Sequence, residues 1–344
     1  MNKKVELRYL SLEETIKAGA TDMAKAIADV ENVLSLEDRG KVLHPHKTAM
    51  RWGDEASEYE FGRINCMPGY VGGDVDMAGI KWIGSAPKNI EQGLPRASAL
   101  TILNDPVTKF PVAVMDGTVI SAIRTGACGG VAAKYLVKKD AAALGLYGAG
   151  VQGRTQLMAA LTMRPTIKLI KLYDPHTERA QKFAEEMARD WKVEIRVTDK
   201  PEDAAKGVDV IITATMAINP VCLYEWLDPK GLTCLNIGGV EYDDNVVAKA
   251  AKTYADSIEA VVDRNGNTIA HMVNEGRFSP DRFYSDIGPV INGKKEGRTG
   301  DEFIYFASVG SGLFDIAVAA RILKEAEKQN IGTKLTLWNE PWFS

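Results

Sequence analysis

The sequence contains few of the residues from which metal centres and disulfide frameworks are built. Its 344 residues include four cysteines and four histidines, and no two cysteines have CxxC spacing. Because no apolar signal segment opens the chain, we expect free thiols and a cytoplasmic protein. His44 and His46 are candidate metal ligands, but the proline between them favours an extended chain that points them apart. With no carboxylate-rich motif nearby, we expect no metal site.

The sequence also lacks long apolar runs and an excess of basic charge. Its apolar runs are far shorter than the ~20 residues that a membrane-spanning helix requires. Lysine and arginine number 42 against 46 acidic residues, which gives a net charge of −4. No basic cluster is long enough to bind a nucleic-acid backbone. We therefore expect neither membrane nor nucleic acid as a partner, and 344 residues with 45% hydrophobic side chains suffice for two folded domains.

Short apolar runs separated by glycine and proline dominate the first third of the sequence. Ser11 and Glu14 form a capping box that begins a helix, which we expect to continue to about Val33. Three strands are predicted farther on, at residues 78–84, 97–103 and 111–115. This part of the chain therefore predicts a domain rich in β-sheet.

Strands and helices alternate after Thr125. Strands are predicted at residues 142–147, 167–173, 208–215 and 232–237, and helices at residues 152–163 and 177–191. A last helix is predicted around residues 316–326, and it ends at Gly332. Alternation of this kind is typical of a parallel, doubly wound sheet with helices on both faces. The predicted fold class is α/β, with a doubly wound domain and a second, sheet-rich domain.

A glycine-rich turn, GAGVQG at residues 148–153, follows the first of these strands and opens the next helix. In a Rossmann fold, Gly148 would permit the tight turn, Gly150 would let the backbone approach a pyrophosphate, and Gly153 would let helix and sheet pack closely. Asp174 ends the following strand, near the spacing expected of the acid that binds the adenosine ribose. Because its carboxylate would repel a 2′-phosphate, we expect NAD rather than NADP.

The same residues allow two other interpretations. The glycines could form an ordinary tight turn, with Asp174 facing solvent. Arg179, five residues after Asp174, could instead hold a 2′-phosphate. Cofactor preference is therefore less firmly predicted than cofactor binding.

Three cations precede the glycine-rich turn in apolar surroundings. Arg51 follows an alanine and a methionine, Lys81 lies within a predicted strand, and Arg124 has small apolar neighbours. A guanidinium can bind a carboxylate with two parallel hydrogen bonds, and burial can bring a lysine into the range of a general base. The alternative for each is a surface or ion-paired residue. Composition and spacing leave both interpretations open.

Over nearly its whole length the chain resembles the ornithine cyclodeaminase/mu-crystallin family. The resemblance rests on residues 79–82 (GIKW), 124–127 (RTGA), 148–152 (GAGVQ) and 306–310 (FASVG), together with Asp315. It implies a homodimer in which a Rossmann NAD(P) domain is inserted into a second domain that binds substrate and dimerises through its sheet. We therefore expect residues 1–122 and 317–344 to form the second domain, and residues 123–316 the Rossmann domain.

The resemblance also implies roles for individual residues. Arg51, Lys81 and Arg124 match substrate-binding positions of the family, where the arginines hold a carboxylate and the lysine contacts the carboxylate or an imine. The implied cofactor-contacting residues are Arg124, Thr125, Gly148, Gly150, Val151, Gln152, Asp174, Thr213, Thr215, Ile237, Gly238 and Ser308.

Two departures from the cyclodeaminase pattern narrow the implied reaction. Val240 stands where those enzymes carry an aspartate, and Asn65 where they carry a glutamate, so ornithine cyclisation is disfavoured. Residues 79–85, 96–98, 102–106 and 329–333 are most similar to the branch that oxidises N-(2-amino-2-carboxyethyl)-L-glutamate. That branch has an acid one position later, here Glu241, which we expect to be the general acid or base together with Lys81. The alternative is a solvent-facing acid on a loop.

The favoured function is an NAD-dependent oxidation at the α C–N bond of an amino acid, which would release 2-oxoglutarate and 2,3-diaminopropionate. A second hypothesis is an NAD(P)H-dependent imine or ketimine reductase or a deaminating cyclase, and a third is a non-catalytic binding protein like mu-crystallin. We expect loops at residues 54–63 and 288–301 to build the side-chain pocket. The sequence assigns no role to Arg96.

Overall fold

The computed structural model describes residues 4–51 and 62–342. The chain forms two compact units, which are considered separately below. The first unit comprises Met1–Arg124 and Ser311–Ser344, and the second comprises Thr125–Gly310. Within the described ranges, no helix is both long and apolar enough to cross a membrane.

The first unit is built on a mixed sheet of eight strands. These are β1 (Val5–Leu10), β2 (Val42–Leu43), β3 (Thr48–Met50), β4 (Arg63–Val71), β5 (Met77–Ser85), β6 (Ala97–Asn104), β7 (Pro111–Asp116) and β16 (Thr333–Trp338). Their order is β16-β1-β7-β6-β5-β4-β2, and β3 pairs with β4. Only the β1–β7 pair is parallel among these described strands. The three strands predicted in this region are therefore confirmed.

Four helices belong wholly or partly to the first unit. They are α1 (Leu12–Lys17), α2 (Met23–Asp38), α3 (Thr118–Leu136) and α11 (Gly312–Lys328), with a 3-10 helix at Pro87–Gln92. The capping box predicted at Ser11 and Glu14 is present. The last predicted helix ends at Lys328 rather than at Gly332, which lies beyond the helix with a φ of +90°. The single helix predicted to Val33 is wrong, because Gly19 has a φ of +92° and Asp22 begins a second helix by capping the N–H of Lys25.

The two faces of this sheet differ in how they are covered. Helix α11 packs on β4, β5 and β6, and α2 packs on α11, so one face lies in the core. Side chains alternate between faces along a strand, and the opposite face presents Trp82 and Leu100, directly opposite one another on β5 and β6. They are 41% and 45% exposed. Leu335 and Leu337 of β16 are exposed as well.

The second unit contains a parallel sheet of eight strands. These are β8 (Ala143–Tyr147), β9 (Leu169–Tyr173), β10 (Glu194–Val197), β11 (Val210–Thr213), β12 (Thr233–Asn236), β13 (Lys252–Ala255), β14 (Ser285–Asp286) and β15 (Ile304–Ala307). Their order is β10-β9-β8-β11-β12-β15-β13-β14. The chain leaves β8 toward one edge through β9 and β10, then returns to β11 and continues toward the other edge. The order therefore reverses between β8 and β11, which is the ligand-binding position of a doubly wound sheet.

The helices of the second unit alternate with these strands. They are α4 (Val151–Met163), α5 (Thr177–Trp191), α6 (Pro201–Ala205), α7 (Asp244–Ala248), α8 (Ile258–Arg264), α9 (Thr268–Asn274) and α10 (Ile287–Ile291), with 3-10 helices at Tyr224–Trp226 and Pro280–Arg282. The predicted α/β class, with a Rossmann-type unit and a second unit built on a sheet, is confirmed.

Candidate active site

The predicted cofactor residues gather at the carboxyl edge of the parallel sheet. Strand register places Tyr147 opposite Thr213, and Thr213 opposite Asn236, which in turn lies opposite Ala307. The residues that follow these strands therefore lie along one edge. They include Gly148, Gly150, Asp174, Thr215, Ile237, Gly238 and Ser308.

The glycine-rich turn has the conformation that its sequence predicts. Gly148 has a φ of +104°, and a Cβ there would lie 2.6 Å from the carbonyl oxygen of Ala214. A Cβ on Gly153 would lie 1.9 Å from the carbonyl oxygen of Gly148, so helix α4 can approach the turn only with glycine at this position. A Cβ on Gly150 would meet nothing within 4 Å. That open space fits the close approach of a ligand to the backbone.

The first turn of α4 can bind an anion. Gly150 is its N-cap residue and supplies no side chain to cap the helix. The N–H groups of Val151 and Gln152 stand at the positive end of the helix dipole, and Val151 is 66% exposed. These residues would hold the pyrophosphate of a dinucleotide, the group that the turn is shaped to receive.

Asp174 is held beside the glycine-rich turn. Its Oδ2 accepts the Ala149 N–H at 2.8 Å and its Oδ1 accepts the His176 N–H at 2.9 Å. Arg179 donates to both oxygens, at 2.7 and 2.8 Å. Burial opposes ionisation of this carboxyl, but the hydrogen bonds outweigh it and lower its pKa. The alternative of a solvent-facing acid is wrong, because Asp174 is 5% exposed.

Glu241 joins the loops that follow β11 and β12. Thr215 donates its backbone N–H and its hydroxyl to Oε1, at 2.5 and 2.7 Å. Asn236 Nδ2 and the Gly238 N–H donate to Oε2, at 2.8 and 2.9 Å. Glu241 is 0% exposed, so the alternative of a solvent-facing loop acid is wrong. Burial raises its pKa, although the hydrogen bonds from Thr215 and Gly238 oppose the shift.

The remaining predicted cofactor residues lie around this edge. Thr213 is fully buried and hydrogen-bonds with Asn236, while the Ile237 N–H donates to the Thr213 carbonyl oxygen at 3.0 Å. The Thr125 carbonyl oxygen accepts the side chain of Gln156 at 2.8 Å. The cofactor contacts assigned to these residues, and to Arg124, stay predictions.

Ser308 is fixed by a buried acid that the sequence did not single out. Its hydroxyl donates to Asp256 Oδ2 at 2.9 Å, and the same carboxylate accepts the N–H groups of Val309 and Gly310. Asp256 directly follows β13. An acid placed immediately after a buried strand was the signal that could have found it, as it found Asp174.

Two of the three predicted substrate residues meet in the first unit. Lys81 Nζ lies 2.9 Å from Asp315 Oδ2, and Arg124 Nε lies 3.1 Å from the same oxygen. Lys81 also donates to Ser121 Oγ at 3.3 Å. Lys81, Arg124 and Asp315 are 1%, 7% and 0% exposed, so all three are removed from bulk water. Lys81 and Arg124 are therefore buried, and both are ion-paired with Asp315.

Arg51 differs from the other two cations. It follows β3 at the end of the first described range and is exposed. Its expected role in binding the substrate carboxylate stays a prediction. His44, one of the two candidate metal ligands, lies 3.1 Å from Glu37 Oε1 through Nδ1 and 2.9 Å from Ser311 Oγ through Nε2.

The two loops expected to build the side-chain pocket have different outcomes. Residues 54–61 lie outside the described residues. In the other loop, Arg298 donates to the carbonyl oxygens of Leu136 and Leu232, and Leu232 precedes β12. This part of the loop therefore lies at the amino edge of the parallel sheet, opposite the glycine-rich turn. Its assignment to the substrate pocket stays a prediction.

Comparison with known proteins agrees with this geometry. The model of the ornithine cyclodeaminase/mu-crystallin family matches residues 10–330. N-((2S)-2-amino-2-carboxyethyl)-L-glutamate dehydrogenase of Staphylococcus aureus is 32% identical over 336 residues, which cover 97% of this chain and 99% of that protein. The chain belongs to the ornithine cyclodeaminase/mu-crystallin family.

Two solved structures are similar to the whole chain. An archaeal alanine dehydrogenase, a dimer with bound NAD, has a TM-score of 0.87 at 33% identity and covers 97% of this chain and 100% of its own. The Δ1-pyrroline-2-carboxylate reductase of Thermococcus litoralis, in complex with NADH and L-proline, has a TM-score of 0.87 at 33% identity and covers 95% and 99%. The expected enzyme class, an NAD-linked oxidoreductase, is confirmed at the level of the family.

Proposed function

We propose that the protein oxidises the α C–N bond of a secondary amino acid with NAD, and that N-(2-amino-2-carboxyethyl)-L-glutamate is its substrate. The observation that carries the proposal is the buried pair of Lys81 and Arg124, both of which contact the carboxylate of Asp315. Two buried cations that meet at one carboxylate oxygen suit an anionic ligand such as a substrate carboxylate. The relative from Staphylococcus aureus, aligned over 97% of this chain, supports the choice of substrate.

The side chains of the proposed site have two tasks, which are to bind the substrate carboxylate and to transfer protons. Bound NAD would supply the acceptor for the hydride that leaves the α-carbon of the substrate. Arg124 and Lys81 hold the carboxylate, and because they are buried and fixed they need little reorganisation as charge moves toward the nitrogen. Water then adds to the α-carbon of the iminium, and collapse of the carbinolamine releases 2-oxoglutarate and 2,3-diaminopropionate. Lys81 and Glu241 are the groups proposed to move protons in these steps.

The proposal is tested by incubating the protein with NAD and N-(2-amino-2-carboxyethyl)-L-glutamate. We expect NADH to form at 340 nm, together with equal amounts of 2-oxoglutarate and 2,3-diaminopropionate by mass spectrometry. L-Alanine and L-proline, assayed in the same way, serve as competing substrates. Faster turnover of either amino acid would overturn the choice of substrate while leaving the reaction type in place.

A second candidate function uses hydride transfer in the opposite direction, from NADH to an imino acid. It is favoured by the similarity to a reductase bound to NADH and L-proline. The same two cations would hold the carboxylate of a cyclic imino acid, and the same hydride transfer would run toward the amine. Incubation with NADH and Δ1-pyrroline-2-carboxylate, followed by loss of absorbance at 340 nm, distinguishes this activity from the oxidation.

We also propose that the protein is a homodimer formed through the exposed face of the first unit's sheet. This face presents Trp82, Leu100, Leu335 and Leu337, each more than 40% exposed. Large apolar side chains grouped on one sheet face are typical of a surface that another chain covers. The dimeric alanine dehydrogenase, similar over the whole chain, supports the proposal.

Leu100→Arg is expected to convert the dimer into a monomer, because a charge buried without a partner opposes association. Light scattering should give twice the chain mass of 37.5 kDa for the unaltered protein and the single mass for the variant. Val107→Arg, at an 83% exposed position in the turn between β6 and β7, is the control and should stay dimeric. A dimeric Leu100→Arg variant would contradict the proposed interface.

A further inference from the structure

Asp315 is a buried charge in the first turn of a helix whose residues 312–320 are otherwise apolar. It lies between Phe314 and Ile316 on α11 and is 0% exposed. Lys81 and Arg124 approach the same oxygen, Oδ2, at 2.9 and 3.1 Å. Carboxylates are rarely buried unless paired, so this side chain has a specific task. Pairing with the two cations accounts for one of its oxygens.

The ion pairs with Lys81 and Arg124 do not explain why the other oxygen of Asp315 is buried. Oδ1 is buried and accepts no hydrogen bond from any residue in the described ranges. Buried carboxylate oxygens usually find donors, and an unsatisfied one indicates a missing partner. Arg124 Nε, on the same cluster, is likewise buried without a well-aligned hydrogen bond. The cluster therefore has capacity left for a ligand that donates as well as accepts.

We propose that Asp315 Oδ1 accepts the N–H of the substrate's α-nitrogen and stabilises the positive charge that this nitrogen gains during oxidation. The inference rests on the proposed function and assigns a further contact within the same site. The substrate carboxylate takes the donors of Arg124 and Lys81, and the nitrogen takes the remaining oxygen. An α-amino acid carries both groups on one carbon and so matches both parts of the cluster.

The charge balance of the reaction explains why a fixed anion belongs here. When hydride leaves the α-carbon, the nitrogen lone pair forms the C=N bond, and the nitrogen becomes cationic without losing its proton. The carboxylate of Asp315 stabilises that new positive charge at short range, so its effect is greater on the transition state than on the bound substrate. Water enters only in the later hydrolytic step.

The same contact determines the class of substrate. A 2-hydroxy acid has a carboxylate for Lys81 and Arg124, but its oxidation ends in a neutral carbonyl that gains nothing from a fixed negative charge. An amine, and the iminium ion that it forms, keep an N–H toward Asp315 through the reaction. We infer that Asp315 selects amino and imino acids over hydroxy and oxo acids of the same shape.

The test compares Asp315→Asn with a matched control in the full-length protein. Asparagine has the shape of aspartate without its charge. The control is Asp29→Asn, which removes the charge of a part-buried carboxylate on α2. Its Oδ2 lies 2.6 Å from Nε of Arg321, which is on α11 like Asp315. Thermal unfolding and NADH fluorescence confirm that each variant is folded and binds the cofactor.

With N-(2-amino-2-carboxyethyl)-L-glutamate as substrate, Asp315→Asn is expected to lower kcat by about 10²–10³-fold, the effect of removing one preorganised electrostatic group. The inhibition constant of 2-oxoglutarate, which lacks the nitrogen, should rise less than about threefold, and Asp29→Asn should change neither quantity beyond that. Equal losses in kcat and in 2-oxoglutarate binding would indicate that Asp315 only maintains the structure of the site, and would overturn the proposal. So would a kcat within a few-fold of the unaltered protein.

A second measurement needs neither a folded variant nor turnover. Thermal-shift titration of the unaltered protein should show L-glutamate binding at least about tenfold more tightly than 2-hydroxyglutarate, because the ammonium group brings a positive charge to its hydrogen bond with Asp315 and the hydroxyl does not. Equal affinities would overturn the proposal. If the protein oxidises no amino acid, the proposed function fails, and this preference still tests the role of Asp315.

Discussion

Lys81→Met is expected to lower kcat/KM by about 10³-fold or more, the largest loss we expect from one substitution. Lys81 is 1% exposed on β5 and shares Asp315 with Arg124. Methionine fills a similar volume but removes a buried charge, so the carboxylate of the substrate loses one of its two cations. The proposed proton transfer at the α-nitrogen is lost as well. Steady-state NADH formation measures the change.

The control for this prediction is Lys25→Met. Lys25 forms an exposed pair with Asp22 on α2 of the same unit, and such pairs contribute little. We expect Lys25→Met to retain unaltered kinetics. NADH affinity should be the same in both variants, because the predicted cofactor edge lies in the second unit. Lys81→Met with turnover near that of Lys25→Met would refute the carboxylate-binding role.

Glu241→Gln is expected to weaken NADH binding by about tenfold or more and to lower the free energy of unfolding by at least about 2 kcal/mol. Glu241 accepts four hydrogen bonds, from Thr215, Asn236 and Gly238. A glutamine amide replaces one acceptor oxygen with a donor, so two donors would face each other in a buried position. The loops after β11 and β12 would then shift. Fluorescence titration with NADH and urea unfolding measure the two effects.

The same variant tests the acid–base role predicted for Glu241. If Glu241 acts only by transferring a proton, turnover should fall while NADH affinity and stability remain unchanged. If its hydrogen bonds position the loops, all three should fall together. Glu259→Gln, at an exposed position in the first turn of α8, is the control and should leave all three unchanged.

The parts of the fold and site that depend on local sequence could be predicted. The conformation of Gly148 and the close approach at Gly153 follow from a motif in which each glycine has a separate steric reason. The capping box at Ser11 is equally local. The break after α1 was missed, because apolar spacing continues through it and only the backbone at Gly19 shows the turn.

Long-range partners could not be predicted in the same way. Glu241 lies on a loop, where no periodicity distinguishes a solvated acid from one enclosed by Thr215 and Asn236. Asp315 is 234 residues from Lys81 along the chain, and their contact arises from α11 packing on β5. The resemblance to the family marked Asp315 without a role. The sequence contained one signal of a role for Asp315, because a charged residue stands there among apolar helix positions.

The pair of Asp174 and Arg179 bears on how this chain could change its choice of dinucleotide. The carboxylate that would repel a 2′-phosphate is the same one that holds the guanidinium, with both oxygens engaged. Replacing Asp174 with a small neutral residue would remove the repulsion and release an arginine at the same place. Adaptation to the phosphorylated dinucleotide therefore requires one altered codon rather than a rebuilt pocket.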